Sequence, residues 1–478
     1  MACNDIYFWR QCLILITMGI SDMGMGFLLS FPAALNAALL SANSTDITAT
    51  PDQVSWLTSL YGMSGMIGFL FIPSLMQSRG RKLTHILLNI FTGLGFFLTY
   101  LANSITMLFI GRLLQGLSAT GITLTVIILA EYSHPKRRGY FLAAQGMFLC
   151  AGSLMCHALS AFYAWRNIAA VAMLFLLTAI ILAFTWPESP PFLAKKRQFE
   201  ECDRVHTWLF GNSKESRGHL EALISAQSKQ NIGCRNSFFS NIKEIFTAFG
   251  KGYFLRSVIV VIVLTLIVDA SGRYFILVYL SQMFVDITGN ASIAFYCSLG
   301  VDITMMISSL LFIVIIHLFN RKTILFVTGF ITTFLLYVVS LTVHLVASND
   351  QSILSVWLAP GLIILSTFVA NIGIVPVAFI IIGEIFPLEH RGLGGSIGGI
   401  VFTILYAITM KFIPSLLEYI GTQGAFAVFA SCMLVCLVIL IYTLNETKDK
   451  SLQEIEDEMK GIKRTQIILM TEEGVANT

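Results

Sequence analysis

The charged motifs of this chain occur twice, roughly half the chain apart, and each copy follows a long apolar stretch. The matched positions are Glu131 and Glu384, Arg138-Gly139 and Arg391-Gly392, Arg81-Lys82 and Arg321-Lys322, and Pro187-Glu188-Ser189 and Asn445-Glu446-Thr447. Internal repetition on this scale predicts two related halves in tandem, arranged as parallel repeats around a central path.

The chain is too apolar for a soluble protein of its length. Hydrophobic residues make up 56% of its 478 residues and charged residues only 12%, which leaves too little polar surface for water. A helix needs about 20 apolar residues to cross the hydrocarbon layer, and unpaired backbone groups are too costly in lipid for irregular structure. We predict an all-α integral membrane protein with twelve transmembrane helices in two parallel six-helix pseudo-repeats. The predicted spans are residues 11–31, 54–76, 83–103, 105–130, 140–160, 167–186, 256–285, 293–318, 323–346, 353–383, 393–416 and 424–444.

The positions of lysine and arginine predict the orientation. They lie in every second predicted loop and near the first span, which places both termini in the cytoplasm by the positive-inside rule. Two glycosylation sequons begin at Asn43 and Asn290, in loops predicted on the opposite side. With no retention signal recognised in the tail, we predict a multi-pass glycoprotein of the plasma membrane.

Four segments are expected along the chain. Residues 1–187 form an N-terminal six-helix half and residues 253–444 a C-terminal six-helix half. Residues 188–252 are the one long hydrophilic insertion, and they are predicted to be a cytoplasmic linker with short helices. Residues 445–478 form a cytoplasmic tail.

Several kinds of chemistry are not indicated by the sequence. It shows no nucleophile motif, no phosphate-binding glycine loop and no metal-ligand spacing, and its nine cysteines are scattered. The net charge of +3 follows from the membrane topology. We expect no enzymatic activity, no cofactor, no metal and no nucleic-acid partner, but a small-molecule substrate and the lipid bilayer as partners.

The motifs, taken in order, resemble those of the sugar porter family of the major facilitator superfamily, most closely its insect facilitated trehalose and hexose transporter branch. The resembling elements are Ser30-Phe31-Pro32-Ala33, Gly80-Arg81-Lys82, Gly111-Arg112, Glu131 to Arg138-Gly139, Pro187-Glu188-Ser189-Pro190, Gly383-Glu384-Ile385-Phe386-Pro387 to Arg391-Gly392, and Glu446-Thr447-Lys448. The resemblance covers nearly the whole chain. It implies a carrier that moves a small solute, most simply a sugar, by alternating access.

The resemblance also implies a charge-pair gate on the cytoplasmic side that joins the two halves when the protein is open outward. The gate residues are Arg79, Arg81, Glu131, Arg138, Glu188, Arg321, Glu384, Arg391 and Glu446. Ion pairs at the membrane interface suit this role because water can solvate the charges when the pairs separate.

Substrate-binding columns of the family map onto a set of residues with fewer amide and indole groups than sugar porters have. The candidate substrate-binding residues are Gln145, Asp269, Arg273, Tyr274, Tyr279, Phe379, Phe402 and Thr403. Phe379 stands where the family has tryptophan, and Phe402-Thr403 stand where it has an Asn-Trp pair. The site has therefore exchanged hydrogen-bonding groups for apolar and ionic ones.

Charged residues inside predicted spans need partners or a function, since a central charge costs about 2.5–3.5 kcal/mol on insertion scales. Asp269 and Arg273 are four residues apart, which predicts an ion pair on one helical face with Asp302 as a third member. Asp22 has no local partner. Asp22 and Asp302 are therefore candidates for proton coupling.

Three functions remain compatible with the sequence. The first is a facilitative sugar carrier. The second is a proton-coupled carrier of a non-sugar solute, which the intramembrane acids favour. The third is a transport-inactive sensor or receptor, which the missing sugar-binding side chains favour and the duplicated gate motifs disfavour.

Overall fold

The computed structural model describes residues 2–40, 47–134, 137–229, 252–348, 353–386, 391–446 and 448. All regular secondary structure in these ranges is helical. Eleven segments are long and apolar enough to cross a membrane, and the last of them, Gly394–Thr443, is 50 residues long. Gly421, with φ of 69° and ψ of 175°, interrupts that segment, so that it contains two crossings. The predicted fold of twelve helices is confirmed.

The spans are numbered here in chain order. Those of the N half are span 1 (Ala2–Leu40), span 2 (Pro51–Arg79), span 3 (Arg81–Leu101), span 4 (Ile105–Leu117 and Gly121–Tyr132), span 5 (Arg138–Ser160) and span 6 (Trp165–Ala183). Those of the C half are span 7 (Gly252–Ala270 and Arg273–Thr288), span 8 (Ala291–Leu318), span 9 (Arg321–Ser348) and span 10 (Ile353–Ile372 and Ile374–Glu384), with spans 11 and 12 both within Arg391–Thr443. Three linker helices follow span 6: Pro190–Lys195, Phe199–Phe210 and Lys214–Lys229.

Spans 4, 7 and 10 are each made of two helices. In span 7 the break is at Gly272, whose φ of 87° is in the left-handed region that favours glycine. In span 10 it is at Gly373. Pro376 lies three residues later, in the first turn of the new helix, where its missing N–H costs no helical hydrogen bond.

The two halves pack against each other along three pairs of spans: 2 with 11, 5 with 8, and 1 with 7. Spans 2 and 11 approach closely because small residues face each other. A Cβ added at Gly62 would lie 2.6 Å from the backbone oxygen of Thr403, and one added at Gly399 would lie 2.1 Å from the Phe69 ring. This seam positions the central residues of both halves.

The two membrane faces differ in charge. The ends of spans 2, 4, 8 and 10 and the starts of spans 3, 5 and 9 lie on one face with the linker helices, and we call it the cation-rich face. On the opposite face, Lys411 of span 11 reaches across to span 2, where its Nζ atom lies 2.5 Å from Asp52 Oδ1 and 2.9 Å from Ser55 Oγ. The halves are therefore joined by an ion pair on the opposite face.

Candidate functional site

A charge cluster closes the cation-rich end of the N half. Arg81, at the start of span 3, donates from Nε and Nη2 to the Glu131 carboxylate at the end of span 4, at 2.7 to 3.1 Å. The Glu188 carboxylate accepts from the backbone N–H groups of Arg81 (2.9 Å), Lys82 (3.1 Å) and Ser189 (2.9 Å). Burial raises the pKa of Glu188, and these backbone hydrogen bonds oppose that effect. The cluster ties spans 3 and 4 to the start of the linker.

The same cluster recurs in the C half. Arg321, at the start of span 9, pairs with Glu384 at the end of span 10. Glu446 accepts from the backbone N–H of Lys322 at 3.0 Å, as Glu188 does from Lys82. The lysine side chains also match, since Lys82 donates to the carbonyl of Trp186 and Lys322 to that of Leu444, each at 2.8 Å. The duplicated sequence motifs therefore make equivalent contacts in the two halves.

The ion pairs that these motifs form among the described residues lie within one half or the other. The resemblance of the motifs to those of sugar porters implied ion pairs between the halves. The motif residues meet locally because spans 3 and 4, like spans 9 and 10, end side by side on the same face. Arg79 and Arg138 are exposed and form no ion pair among the described residues. Arg391 begins span 11, but its side chain lies outside what the structure describes. A gate between the halves on this face remains a prediction.

Glu131→Gln and Glu384→Gln are expected to have matched effects, because each removes the acid of an equivalent pair. Both pairs are shielded, with side chains 13% to 22% exposed. Each substitution should lower the free energy of unfolding of its half by about 1–3 kcal/mol, seen as a lower melting temperature of the purified protein in detergent.

The control for these two variants is Glu201→Gln. Glu201 pairs with Arg204 on the surface, with side chains 40% and 76% exposed, and such pairs contribute about 0–1 kcal/mol. Melting temperatures that fall no further for Glu131→Gln and Glu384→Gln than for the control would contradict a structural role for the clusters.

Aromatic rings form a group at the centre of the molecule, where the break in span 7 faces spans 2 and 11. Tyr274 follows the break and lies 5.1 Å from Phe402 and 5.8 Å from Tyr406, measured between ring centroids. Tyr406 lies 5.5 Å from Tyr61 of span 2. Phe379, half exposed, extends the group from span 10 and lies 6.2 Å from Phe402. The rings thus come from both halves.

Polar atoms without hydrogen-bond partners border this aromatic group. They are Asp269 Oδ1, Tyr279 Oη and Gln115 Nε2, all buried and unpartnered among the described residues. Asp269 accepts from Thr409 Oγ1 through its other oxygen. Gln115 accepts from Arg112 Nη1 at 2.9 Å through its carbonyl oxygen. Since buried polar groups are ordinarily paired, these three atoms are candidates for contact with a polar solute.

The predicted ion pair between Asp269 and Arg273 is not present. Asp269 hydrogen-bonds to Thr409, and the Arg273 guanidinium lies 6.0 Å above the Tyr274 ring. The helix ends at Ala270 and restarts at Arg273, so the two side chains are not one helical turn apart. The prediction failed because it assumed a continuous helix.

Asp302 also has a different partner from the predicted one. His157 Nδ1 of span 5 lies 2.6 Å from Asp302 Oδ2, and Ser153 Oγ donates to Asp302 Oδ1 at 2.8 Å. Ser153 in turn contacts the hydroxyl of Ser30 in span 1. All four side chains are buried. This tie joins the halves across the seam of spans 5 and 8.

The remaining residues predicted for substrate binding or proton coupling lie in other parts of the molecule. Gln145 lies with Thr125 beside Asp22, inside the N half. Asp22 is fully buried, and neither of its carboxylate oxygens has a hydrogen-bond partner among the described residues. Thr403 is buried at the seam of spans 2 and 11, and its hydroxyl bonds to its own helix at the carbonyls of residues 399 and 400. Gln145 and Thr403 are thus not part of the aromatic group.

The two sequons have different outcomes. Asn290 is exposed at the start of span 8, where its Oδ1 atom caps the helix by accepting from the backbone N–H of Ser292 at 2.9 Å. Asn43 lies outside the described residues. Glycosylation at either position remains a prediction.

Sequence reasoning missed several residues that the structure brings to the centre. Arg112 was noticed only as part of a family motif, yet it is 2% exposed and its guanidinium lies 6.0 Å from the Tyr61 ring. Gln115 was not considered, although a polar residue three positions after a buried arginine shares its helical face. His157 belongs to none of the motifs, and no local pattern can pair it with Asp302, which lies 145 positions away.

Comparison with known proteins agrees with the fold and the motifs. A family model described as sugar (and other) transporter matches residues 13–459. The chain is similar to the facilitated trehalose transporter Tret1 of Drosophila willistoni, with 23% identity over 467 residues that cover 96% of this chain and 52% of the relative. It is also similar to Tret1 of Polypedilum vanderplanki, with 24% identity, covering 96% of this chain and 90% of the relative.

The chain spans about half the length of the Tret1 proteins of Drosophila willistoni and Drosophila virilis. Among solved structures, the xylose transporter XylE from E. coli in an inward open conformation superposes with a TM-score of 0.74 at 14% identity, covering 93% of this chain and 98% of that chain. At this identity the superposition supports the fold alone.

Proposed function

Because the chain belongs to the sugar (and other) transporter family, we propose that it carries a small sugar, either trehalose or a hexose, across the membrane. Transport proceeds by alternating access and down the gradient of the sugar, without a cofactor. The trehalose transporters among its relatives support the substrate class.

One observation carries this proposal. Buried polar atoms that lack hydrogen-bond partners lie beside a group of aromatic rings that comes from both halves. A sugar has hydroxyl groups that need hydrogen bonds and C–H faces that pack on rings. Tyr279 Oη, Asp269 Oδ1 and Gln115 Nε2 supply the polar atoms, and Tyr274, Phe402 and Tyr406 supply the rings. Leaving a buried polar group unpaired costs about 1–3 kcal/mol, so a solute that pairs these atoms is favoured.

The matched clusters on the cation-rich face support alternating access. Each cluster fixes the ends of its own spans, so that each half can move as a unit. The ion pairs between halves in the described residues, Lys411 with Asp52 and His157 with Asp302, do not lie at that face. The arrangement supports a conformer closed on the opposite face.

The cation-rich face is proposed to be cytoplasmic, in agreement with the positive-inside rule, so that both termini are cytoplasmic and the protein lies in the plasma membrane. The chain is proposed to divide into an N-terminal half (residues 1–187), a linker (residues 188–252), a C-terminal half (residues 253–444) and a tail (residues 445–478). The linker helices Phe199–Phe210 and Lys214–Lys229 support the placement of a structured linker between the halves.

Uptake of radiolabelled trehalose and glucose into oocytes tests the proposal, with water-injected oocytes as controls and surface expression measured. Saturable uptake of either sugar, equal at about pH 5.5 and about pH 7.5, is expected. The absence of uptake of both sugars at normal surface expression would overturn the proposal and leave two interpretations, a carrier of a non-sugar solute and a receptor.

The burial of Asp22 favours proton coupling as a second candidate function, because both carboxylate oxygens are unpartnered. For a facilitative carrier, Asp22→Asn should retain uptake within about twofold at both pH values and should not lower the melting temperature, since it removes an unpaired buried charge. Both variant and wild type are assayed in oocytes at matched surface expression. Uptake that is driven by acidic pH in the wild type and loses this dependence in Asp22→Asn would instead assign proton coupling to Asp22.

A further inference from the structure

A second concave site lies outside the membrane spans, on the cation-rich face. A cavity of about 190 Å³ is enclosed by the end of span 4, the start of span 5 and the linker helices. Its volume is below the roughly 300–1,000 Å³ of pockets for drug-sized ligands. The cavity therefore suits a small group of a few heavy atoms.

The walls of this cavity carry hydrogen-bond donors and one cation that forms no ion pair among the described residues. The lining includes Arg138, Ser133, His134, His206 and His219. Glu131 also lines it, but both of its oxygens accept from Arg81. Its negative charge is therefore already paired, and Arg138, which forms no ion pair among the described residues, is left as the free charge of the cavity wall.

A buried hydroxyl in the wall lacks a partner. Ser133 is 2% exposed, and its Oγ atom has no hydrogen-bond partner among the described residues. Buried hydroxyl groups are ordinarily paired, so this hydroxyl is available to hydrogen-bond to a ligand. Burial, and next the neighbouring His219, lower the pKa of His206 to about 4. His206 is therefore neutral at cytoplasmic pH and adds no positive charge to that of Arg138.

A helix start also faces the cavity. The third linker helix begins at Lys214 after its cap Ser213, and Ser213 and Ser216 both line the cavity. The N-terminal end of a helix carries a partial positive charge that favours anions. Three features of the cavity thus favour an anionic ligand: the helix start, the Arg138 guanidinium and the unpartnered Ser133 hydroxyl.

We propose that this cavity binds a phosphate group from the cytoplasm, either as inorganic phosphate or as the phosphoryl group of a sugar phosphate. Arg138 is the counter-ion, and Ser133 and His219 hydrogen-bond to the phosphate oxygens. The proposal goes beyond sugar transport, because the site is separate from the central aromatic group.

Occupation of the cavity is expected to slow transport. A bound phosphate bridges the start of span 5 and the third linker helix, next to Glu131, the acid of the N-half cluster. It therefore holds the linker helices against the N half and stabilises the conformer in which those helices pack there. A ligand that binds one conformer better than the other shifts the equilibrium toward it.

Binding is tested on the purified full-length protein by thermal shift and by isothermal titration, with inorganic phosphate and with glucose 6-phosphate as probes. Sodium chloride at equal ionic strength controls for screening. Arg138→Ala and His219→Asn should each weaken binding about tenfold. Arg204→Ala is the matched control, because Arg204 lies on the second linker helix but does not line the cavity, and it should bind as the wild type does.

The outcomes are separate from those of the transport assay, because binding does not require uptake. Preferential binding of inorganic phosphate or of glucose 6-phosphate identifies the source of the phosphate group. Stabilisation by phosphate that only equals that by chloride, or that is unchanged in both Arg138→Ala and His219→Asn, overturns the proposal. In proteoliposomes, His219→Asn should relieve any inhibition of uptake by internal phosphate, and persistence of full inhibition in this variant would refute the regulatory role.

Discussion

Asp302→Ala is expected to lower the free energy of unfolding by about 3–5 kcal/mol. The substitution leaves the buried hydrogen-bond donors His157 Nδ1 and Ser153 Oγ without their acceptor. His157→Ala should have an effect of the same order, because it leaves the Asp302 carboxylate buried without its closest partner. The fall in melting temperature in detergent measures both effects.

Two further variants make the test of this tie specific. Asp286→Ala removes an exposed carboxylate from neighbouring span 7 and should change the melting temperature little. The double variant of His157 and Asp302 should be less destabilised than the sum of the single variants, because it removes both partners of the pair and leaves neither an unpaired imidazole nor an unpaired carboxylate. Additive effects, or a loss with Asp302→Ala no larger than with Asp286→Ala, would show that the tie does not stabilise the contact between halves.

Tyr279→Phe is expected to lower kcat/KM for sugar uptake by about tenfold to a hundredfold, which corresponds to the loss of one buried hydrogen bond to the sugar. The substitution removes only the hydroxyl that lacks a partner in the structure and keeps the ring, which is 5% exposed. Packing should therefore be preserved. Initial rates over a range of sugar concentrations at matched surface expression give the ratio.

Tyr296→Phe provides the control for this experiment. Tyr296 is 68% exposed on span 8, so loss of its hydroxyl should leave kcat/KM unchanged. Equal ratios in Tyr279→Phe and wild type would exclude the Tyr279 hydroxyl from sugar recognition. A fall in melting temperature for Tyr279→Phe alone would indicate instead that the hydroxyl contributes to folding.

Much of the fold could be predicted from the sequence because membrane spans follow from local composition. Long apolar runs give helices wherever backbone groups must be paired within the segment. The duplicated motifs predicted two halves, and the structure shows equivalent contacts at Arg81 with Glu131 and at Arg321 with Glu384. These contacts could be anticipated as charge pairs because each motif fixes its residues at the end of a span.

The candidate site could be predicted only in part, because its residues meet through packing between distant spans. Tyr274, Phe379 and Phe402 were expected at the site and do lie together. The helix break at Gly272 separates Asp269 from Arg273. The helical periodicity of the sequence does not reveal this break.

Counterflow of sugar in proteoliposomes, which contain the purified protein and are preloaded with an excess of unlabelled sugar, tests the central claim most directly, because it depends on a carrier that alternates its access. Unlabelled sugar inside the vesicles should accelerate the entry of labelled trehalose or glucose outside, and the label should transiently exceed its external concentration. Entry of label at the same rate with and without internal sugar, or no entry beyond protein-free vesicles, would contradict the proposed mechanism.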